Sequence, residues 1–193
     1  MKVVDLTKAL VADMRVWPGD PAVTVKAHKS IKEQGYCVTA VSFGSHCATH
    51  IDGPAHLIEG GKRIEEYPPE RFFARCYVVA KGGQPVVEVA NVESIPQECN
   101  GVLFAGDDTY LSCAAAKTLL ERGVRLFGFS SLSCDPMDST TFDVHHLLLG
   151  QEATLIENLA SLDALAGKIV EVVALPILVA GADSAPARVI AQF

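Results

Sequence analysis

Hydrophobic and polar residues alternate along much of the first part of the chain, which is typical of β-strands. The alternation runs through "AVTVKAHKSI" (22–31) and "YCVTAVSFGS" (36–45), where β-branched and aromatic residues are frequent, and a shorter apolar stretch opens the chain in "MKVVDLT". Residues 16–21, "VWPGDP", contain the Pro and Gly of a turn. The pattern therefore predicts three strands in this part of the chain.

The period of the pattern changes in the middle of the chain. "GVLFAG" (101–106) and "VRLFGFSS" (124–131) are apolar runs typical of buried strands, and residues 109–123 between them have helical apolar spacing before a terminal Gly123. This succession predicts a strand, a helix and a second strand parallel to the first. The loops at the carboxyl ends of parallel strands are where α/β proteins commonly build their sites.

The C-terminal part of the chain predicts a short helix and three more strands. The helix covers residues 143–150, with Asp143 as its N-cap, and a short strand covers residues 153–159. The other two strands are expected in "KIVEVVALPILV" (168–179) and "ARVIAQF" (187–193). Because no repeat or linker interrupts the chain, we predict one α/β domain over residues 1–193, with a mixed sheet rich in β-strands.

Charge and composition exclude several classes of partner. The net charge is −7 and no basic run would neutralise phosphates, so we expect no nucleic-acid partner. The longest apolar run, residues 168–181, contains Glu171 and Pro176 and is shorter than the ~20 residues of a spanning helix. Asp5 precedes any stretch that could act as a secretory signal, and the six scattered cysteines, which form no CxxC pair, fit a reducing compartment. We therefore expect a cytoplasmic protein without a membrane partner.

The segment "HCATHIDGPAH" (46–56) contains half of the six histidines of the chain. Ile51 and the Gly-Pro pair favour a strand that ends in a loop, and alternate strand residues such as His50 and Asp52 then point the same way. Imidazole nitrogens with a carboxylate oxygen suit Zn²⁺ or Mn²⁺, whereas a thiolate zinc site needs paired cysteines. The segment therefore predicts a metal site rather than a set of separate polar side chains.

A metal site of this kind needs ligands from elsewhere in the chain. Among the other histidines, His28 is expected to be exposed among lysines, whereas His145 and His146 lie shortly before Glu157. Glu157 stands between apolar residues, where a charge is costly unless it meets a cation or a strong hydrogen-bond partner. The histidine pair and Glu157 are therefore further candidates, and the alternative for Glu157 is an exposed strand end.

Together these motifs resemble those of the cyclase family of metal-dependent hydrolases. The family pattern H-x-G-T-H-x-D-x-P-x-H corresponds to residues 46–56, and a P-G-D turn corresponds to residues 16–21. A histidine that opens a leucine-rich helix, followed by a glutamate, corresponds to "HHLLLGQEATLIENL" (145–159), and a turn with Gly, Pro and Arg corresponds to "GADSAPAR" (181–188). The resemblance spans nearly the whole chain and implies a barrel-like sheet of the swivelling β/β/α type.

The resemblance also implies a role for each candidate residue. The implied metal ligands are His46, His50 and Asp52 for a first ion, with Asp52 bridging to a second ion, then His145 for the second ion, and Glu157 touching both. His56 would act as general acid and base without binding metal, and Trp17 would line the substrate pocket. The implied cofactor is Zn²⁺, in one or two positions, with Mn²⁺ as the alternative.

Three positions or segments depart from the family pattern. Ala48 replaces the glycine, so the backbone there is expected to avoid positive φ. Cys47 brings a thiol next to the ligands; facing inward it would bias the site towards zinc or make activity sensitive to oxidation, and facing outward it would be inert. Serines occupy residues 128–136, where the family often has an aspartate, which leaves the substrate open.

The implied function is hydrolysis of an amide C–N bond in a small molecule by metal-activated water. The first candidate substrate is an aryl formamide, N-formylkynurenine, which would give kynurenine and formate in tryptophan breakdown, with His56 passing a proton to the leaving nitrogen. One alternative is a hydrolase that opens a cyclic amide or lactone such as isatin. Another is a metal-binding protein without catalysis, in which His56 is a ligand. The family also implies a homo-oligomer, either a dimer or a tetramer.

Overall fold

The computed structural model describes residues 1–193, and a closed β-sheet forms its centre. The strands are β1 (Val3–Asp5), β2 (Thr24–Lys29), β3 (Val38–Ser42), β4 (His50–Asp52), β5 (Phe73–Val79), β6 (Val86–Val87), β7 (Gly101–Phe104), β8 (Tyr110–Leu111), β9 (Leu126–Phe129), β10 (Thr154–Glu157), β11 (Ile169–Pro176) and β12 (Ser184–Gln192). The α-helices are α1 (Ile31–Gln34), α2 (Val89–Val92), α3 (Cys113–Glu121) and α4 (Asp143–Gly150), and short 3₁₀ helices cover Pro54–His56, Ile64–Glu66, Pro69–Phe72 and Leu162–Leu165. None of these helices has the length and apolar character needed to cross a membrane.

Seven strands form a closed ring in the order β12, β11, β5, β7, β9, β10 and β4, because β4 pairs with both β10 and β12. Neighbouring strands from β5 to β10 run parallel, and β4, β11 and β12 are antiparallel to their neighbours. Strand β12 closes the ring through residues 184–186, which pair with β4, while residues 190–192 pair with β1. The predicted fold class, a mixed and β-rich α/β sheet of barrel-like form, is confirmed.

Two hydrophobic clusters cover the two faces of the ring. Leu103 belongs to the cluster inside the barrel, whereas its neighbours Val102 and Phe104 belong to the cluster that includes buried residues of α3 and α4. Parallel strands buried on both faces have continuous apolar sequences rather than alternating ones. The interior is narrow, because a Cβ atom at Gly128 would lie 2.5 Å from Leu103 Cδ2. A larger residue there would therefore require the ends of the Leu103 and Leu159 side chains to move.

The predicted strand, helix and strand in the middle of the chain are confirmed as β7, α3 and β9. The backbone N–H of Ala115 donates to the Ser112 hydroxyl at the start of α3 (3.2 Å), and Gly123 has a φ of 89° just after the helix. Strands β7 and β9 pair in parallel. The loop after β9, residues 130–142, carries side chains to the candidate site.

Strands β2 and β3 form an antiparallel hairpin, the arm (residues 24–42), which is separate from the closed ring. The predicted strands are confirmed, but the arm has no buried face, because all five residues of β3 are exposed. Its exposed apolar side chains include Val25, Tyr36 and Val41. The arm therefore carries apolar surface that the rest of the chain does not cover.

Candidate metal centre

The histidine-rich segment lies where β4 joins β10 and β12. Because β4 alternates, His50 and Asp52 lie on one side of the strand, while Ile51 lies on the other side in the barrel core. His46 lies in the turn before β4. On β10, Glu157 is paired with His50, so strand pairing brings the carboxylate beside the histidine. The fold thus joins two motifs that are far apart in the sequence.

Asp52 and Glu157 are the two carboxylates around which the histidines are arranged. Asp52 Oδ1 lies 2.9 Å from Nδ1 of His46 and 3.4 Å from Nε2 of His50, and Glu157 Oε2 lies 3.5 Å from the same His50 nitrogen. On the other side, Nε2 of His145 lies 3.2 Å from Glu157 Oε1 and 3.7 Å from Asp52 Oδ2. Each carboxylate therefore faces histidine nitrogens with both of its oxygens.

Three inward-facing atoms are buried without a hydrogen-bond partner, namely Nε2 of His50 and both side-chain oxygens of Asp52. The close approach of His46 to Asp52 lacks hydrogen-bond geometry. A buried carboxylate whose oxygens accept no hydrogen bond is unfavourable even with a charged imidazole nearby, whereas a divalent cation would satisfy both oxygens. The nitrogen and oxygen donors also lie close enough together to share an ion. The residues present therefore fit a metal cofactor.

Hydrogen bonds on the outer side of two histidines turn their Nε2 atoms towards the centre. His50 Nδ1 lies 3.1 Å from the carbonyl oxygen of Ala48, and His145 Nδ1 lies 2.7 Å from Asp135 Oδ2. Because a carbonyl and a carboxylate only accept, Nδ1 carries the proton in each ring and Nε2 is left as a ligand atom. The structure thus brings His145 into the centre, whereas its neighbour His146 is exposed.

Asp135 also supports the start of α4, the role that the sequence suggested for Asp143. Asp143 is instead the first residue of the helix, and the N-cap residue is Phe142, which has a φ of 49°. The backbone N–H groups of Val144 and His145 donate to the Asp135 carboxylate, each at 3.0 Å. The prediction for Asp143 is wrong, because a carboxylate from the preceding loop satisfies the free N–H groups of the first turn.

Asp183, in the turn before β12, is a site residue that was not predicted from the sequence. Its Oδ2 lies 2.8 Å from Nε2 of His46 and 3.4 Å from Nδ1 of His56, and the Ser45 hydroxyl donates to its Oδ1 at 3.0 Å. Gly53 packs against the same turn, since a Cβ atom there would lie 2.8 Å from the Asp183 carbonyl oxygen. The only sequence signal was membership of the "GADSAPAR" segment, which does not reveal a partner.

His56 ends the 3₁₀ helix Pro54–His56 and lies beside the carboxylate pair, in the cavity wall. Its ring centroid is 4.0 Å from that of His46 and 6.1 Å from that of His145. Its side chain is 29% exposed, against 2% for that of His50. Of these two histidines, His56 is therefore the one open to a molecule in the cavity.

The carboxylates and imidazoles shift the pKa values of one another. Burial alone lowers the pKa of His46, but Asp52 and Asp183 outweigh this effect and raise the pKa to about 10. Burial raises the pKa of Asp52, yet the neighbouring histidines hold it well below its usual range. The hydrogen bond from His46 is the main cause that lowers the pKa of Asp183. With no metal bound, His46 is therefore the protonated partner of two ionised carboxylates.

The backbone at Ala48 differs from the expectation. Its φ is 51°, so the prediction that this position avoids positive φ is wrong. The tertiary structure holds the turn in place, because the hydroxyl of the next residue, Thr49, donates to the carbonyl oxygen of Asn158 at 2.6 Å and accepts from the backbone N–H of Lys8 at 2.8 Å. Alanine therefore adopts the left-handed conformation under strain.

The thiol closest to the ligands is not the one suggested by the sequence. Cys47 is 2% exposed and belongs to none of the groups that could share an ion, and burial raises its pKa to about 11. Cys134 instead has its Sγ 3.2 Å from Nδ1 of His145, and burial raises its pKa to about 12. Both thiols are protonated at neutral pH, and all six cysteines are free.

A cavity of about 150 Å³ opens onto the centre. Its apolar wall is formed by Trp17, Leu57, Leu132 and Phe142. The rings of Trp17 and Phe142 meet edge to face with centroids 6.1 Å apart, and Phe142 lies 5.9 Å from the ring of His145. The structure thus brings Trp17 next to the candidate ligands, and the wall suits a flat aromatic group.

Known proteins resemble the chain along nearly its whole length. The kynurenine formamidase of Maricaulis maris (strain MCS10) is 30% identical over 203 residues, covering 98% of this chain and 97% of the relative, and that of Bacillus anthracis is 29% identical, covering 98% and 96%. Isatin hydrolase A of Labrenzia aggregata has the same fold, with a TM-score of 0.87 at 23% identity, covering 98% and 93%. A structure described as a "predicted metal-dependent hydrolase" from Bacillus stearothermophilus has a TM-score of 0.81 at 23% identity, covering 98% and 97%.

A family model supports the same relationship. The model for Cyclase, described as "Putative cyclase", matches residues 4–136, which is more than half of the chain. The matched part includes the histidine-rich segment 46–56, and the similarity to the Maricaulis maris protein extends over α4 and β10 as well. These two matches show that the chain belongs to the cyclase family.

Proposed function

We propose that the protein is a metal-dependent hydrolase that cleaves the amide C–N bond of an aryl formamide, with N-formylkynurenine as the first candidate substrate. The observation that carries this proposal is the pair of buried carboxylates, Asp52 and Glu157, which face histidine nitrogens on both sides next to an aromatic cavity. The kynurenine formamidases similar to this chain support the same reaction. The likeness to isatin hydrolase A supports the fold alone.

Five side chains would hold the metal. His46, His50 and Asp52 would hold a first ion and His145 and Glu157 a second, with both carboxylates available to either ion. Nitrogen and oxygen donors fit Zn²⁺, and Mn²⁺ is the alternative. When bound, the ions lower the pKa of a water molecule and polarise the substrate carbonyl.

His56 is the proposed general acid and base. Asp183, 3.4 Å from Nδ1, favours a proton on that nitrogen and leaves Nε2 free to exchange protons in the cavity. His56 Nε2 first accepts a proton from the attacking water. It then donates that proton to the leaving nitrogen as the C–N bond breaks, so that a neutral aromatic amine is released together with formic acid, which loses its remaining proton to solvent as formate.

A cyclic amide such as isatin is the second candidate substrate. Its flat bicyclic ring would meet the same wall, formed by Trp17 and Phe142, as the ring of an aryl formamide. Opening of the cyclic amide requires the same proton transfers by His56. The two candidates therefore differ in the shape of the substrate rather than in the chemistry of the centre.

We also propose that the protein is a cytoplasmic homo-oligomer, either a dimer or a tetramer. A two-stranded hairpin is marginally stable by itself, and the exposed Val25, Tyr36 and Val41 of the arm could be covered by a second copy. Six free cysteines fit a reducing compartment. Size-exclusion chromatography with light scattering measures the mass of the particle, and a monomer at micromolar concentration would contradict the assembly.

The reaction is tested by removing metal with a chelator and assaying the protein before and after Zn²⁺ or Mn²⁺ is restored. N-formylkynurenine and isatin are assayed under the same conditions. We expect metal to restore the release of kynurenine and formate. Turnover of isatin alone would indicate that the substrates are cyclic amides rather than aryl formamides. No turnover of either compound by metal-loaded protein would contradict the proposal.

Two adjacent histidines provide a matched pair of variants for the second ligand position. His145→Ala removes a nitrogen that faces both carboxylates, whereas His146→Ala changes an exposed residue of the same helix. The first variant should bind less metal and lose activity, and the second should retain both. Metal content is measured by mass spectrometry alongside circular dichroism, and equal losses in the two variants would argue against His145 as a ligand.

A further inference from the structure

One carboxylate in the cavity wall has no part in the proposed reaction. Asp20 lines the same cavity as Trp17 and the candidate metal ligands, and it is half-buried. No side chain or backbone group of the protein forms a hydrogen bond or an ion pair with its carboxylate. Asp20 therefore presents a negative charge to the cavity with its full capacity to accept hydrogen bonds.

A tight turn holds Asp20 beside Trp17. The backbone N–H of Asp20 donates to the Trp17 carbonyl at 3.0 Å, and Gly19 between them has a φ of 100°, which glycine adopts without strain. One turn thus places both an aromatic and an acidic residue in the cavity wall. This combination binds ammonium groups, through a charge-assisted hydrogen bond and a cation–π contact.

The rest of the cavity wall carries no Lys or Arg. Its side chains are aromatic, aliphatic, histidine, serine or acidic, and the histidines lie on the side of the metal ligands. A carboxylate on the part of the substrate away from the metal ligands would therefore find no lysine or arginine to pair with. An ammonium group could pair with Asp20. The charged residues of the cavity wall therefore favour a substrate with an ammonium group over one with a carboxylate.

We propose that the turn of Trp17 and Asp20 is a recognition site for a protonated amino group on the side chain of the substrate. This inference rests on the proposed function and narrows its substrates to aryl formamides that carry such an amine. The formamide lies at His56 and the metal ligands, the aromatic ring lies against Trp17 and Phe142, and the ammonium pairs with Asp20. A carboxylate on the same side chain points to solvent and adds nothing to binding.

Three formamides with the same ring and different side-chain charges test the site. N-formylkynurenine has an ammonium and a carboxylate, N-formylkynuramine has the ammonium alone, and 4-(2-formamidophenyl)-4-oxobutanoate has the carboxylate alone. N-formylkynuramine, which lacks the carboxylate, should have a kcat/KM equal to or higher than that of N-formylkynurenine. Loss of the ammonium should lower kcat/KM by about fivefold, mainly through KM, which is the effect of a partly exposed ion pair.

Asp20→Asn removes the charge of the site with little change of shape. It should abolish the preference for substrates that carry the amine. Asp13→Asn is the matched control, because Asp13 is exposed in the same segment, does not line the cavity, and has a φ of 56° that asparagine tolerates. The control should keep the preference of the original protein, and an equal loss in both variants would overturn the site.

Kynuramine tests the site without the reaction, because it has the ammonium but no formamide. Titration calorimetry should show weaker binding to Asp20→Asn than to Asp13→Asn. If this difference appears while no formamide is hydrolysed, the ammonium site stands and the proposed reaction fails. If formamides are hydrolysed without regard to side-chain charge, the reaction stands and the ammonium site is overturned.

Discussion

Ala48 is a residue at which backbone strain and burial oppose each other. The left-handed conformation costs an alanine roughly 1–2 kcal/mol, and loss of a buried methyl group costs about 0.8 kcal/mol. Ala48→Gly should therefore keep the free energy of unfolding or raise it by up to about 1 kcal/mol. Ala116→Gly removes an equally buried methyl group from α3, where the helix penalty adds to the loss, so it should cost about 2 kcal/mol. Urea denaturation measures both changes, and equal losses would show that Ala48 is not strained.

His56 is the residue whose role separates a catalytic centre from a closed metal site. His56→Ala should lower kcat by at least about 100-fold, because a general acid and base is lost. Metal content should stay the same, since other side chains hold the ions. Steady-state kinetics and metal analysis measure the two effects, with His146→Ala at an exposed position of α4 as the control. Loss of metal from His56→Ala would make His56 a ligand and refute its proposed role.

At the scale of the element, the stability of helix α4 and the position of the candidate ligand His145 depend on the same side chain, Asp135. The Asp135 carboxylate accepts from two backbone N–H groups of the first turn and from Nδ1 of His145. Burial raises the pKa of Asp135, but these hydrogen bonds outweigh burial and bring the pKa below its usual value. The hydrogen bond from the His145 side chain has the largest lowering effect. The same carboxylate therefore starts the helix and orients the histidine that the helix carries.

Asp135→Asn should weaken metal binding by about 10–100-fold, because it removes the charged partner that orients His145. It should also lower the free energy of unfolding by about 1 kcal/mol, because asparagine has one acceptor oxygen for the two backbone N–H groups. Asp143→Asn is the matched control at the same helix end, where the side chain forms no hydrogen bond to His145. Competition with a fluorescent chelator measures affinity, and a similar loss in the control would indicate a general effect of charge at the helix end.

At the scale of the whole molecule, folding and metal binding depend on pH in opposite directions. With no metal bound, the pKa of His46 is about 10, above its ordinary value of 6.5, so the folded protein holds a proton that the unfolded chain releases earlier. This contribution to stability is full below about pH 6.5 and is lost as the pH rises towards 10. Metal binding needs the neutral imidazole, so it releases this proton and becomes tighter over the same range.

The Tm of chelator-treated protein should therefore fall between about pH 7 and 9, while the affinity for Zn²⁺ rises by up to about tenfold per pH unit for each of the two ligands, His46 and His145, whose pKa is raised. Thermal denaturation with a chelator measures the first trend. Calorimetry in two buffers of different ionisation enthalpy measures the second trend and the released proton. If the two quantities changed in the same direction with pH, the proton on His46 would not be the link between them.

Much of the architecture could be predicted because it depends on local patterns. The strand, helix and strand from β7 to β9 follow from hydrophobic period and from Gly123, and the alternation of β4 accounts for His50 and Asp52 on one side. The exposure of the arm could not be predicted. An alternating pattern gives a strand one apolar face, but it does not say whether another element covers that face. Helix α4 was predicted in place, but not its distant partner Asp135.

The sequence by itself predicted the strands of the ring other than β5 and the histidine and aspartate donors of residues 46–56, because these depend on residue type and short spacing. The place of Trp17 in the pocket was implied only by the family resemblance. Only the tertiary structure decided that β12 closes the ring against β4, that Glu157 lies beside His50, and that Asp183 joins His46 and His56. These contacts form between segments that are distant along the chain. Their geometry depends on strand register and on packing of the whole barrel, which no local pattern encodes.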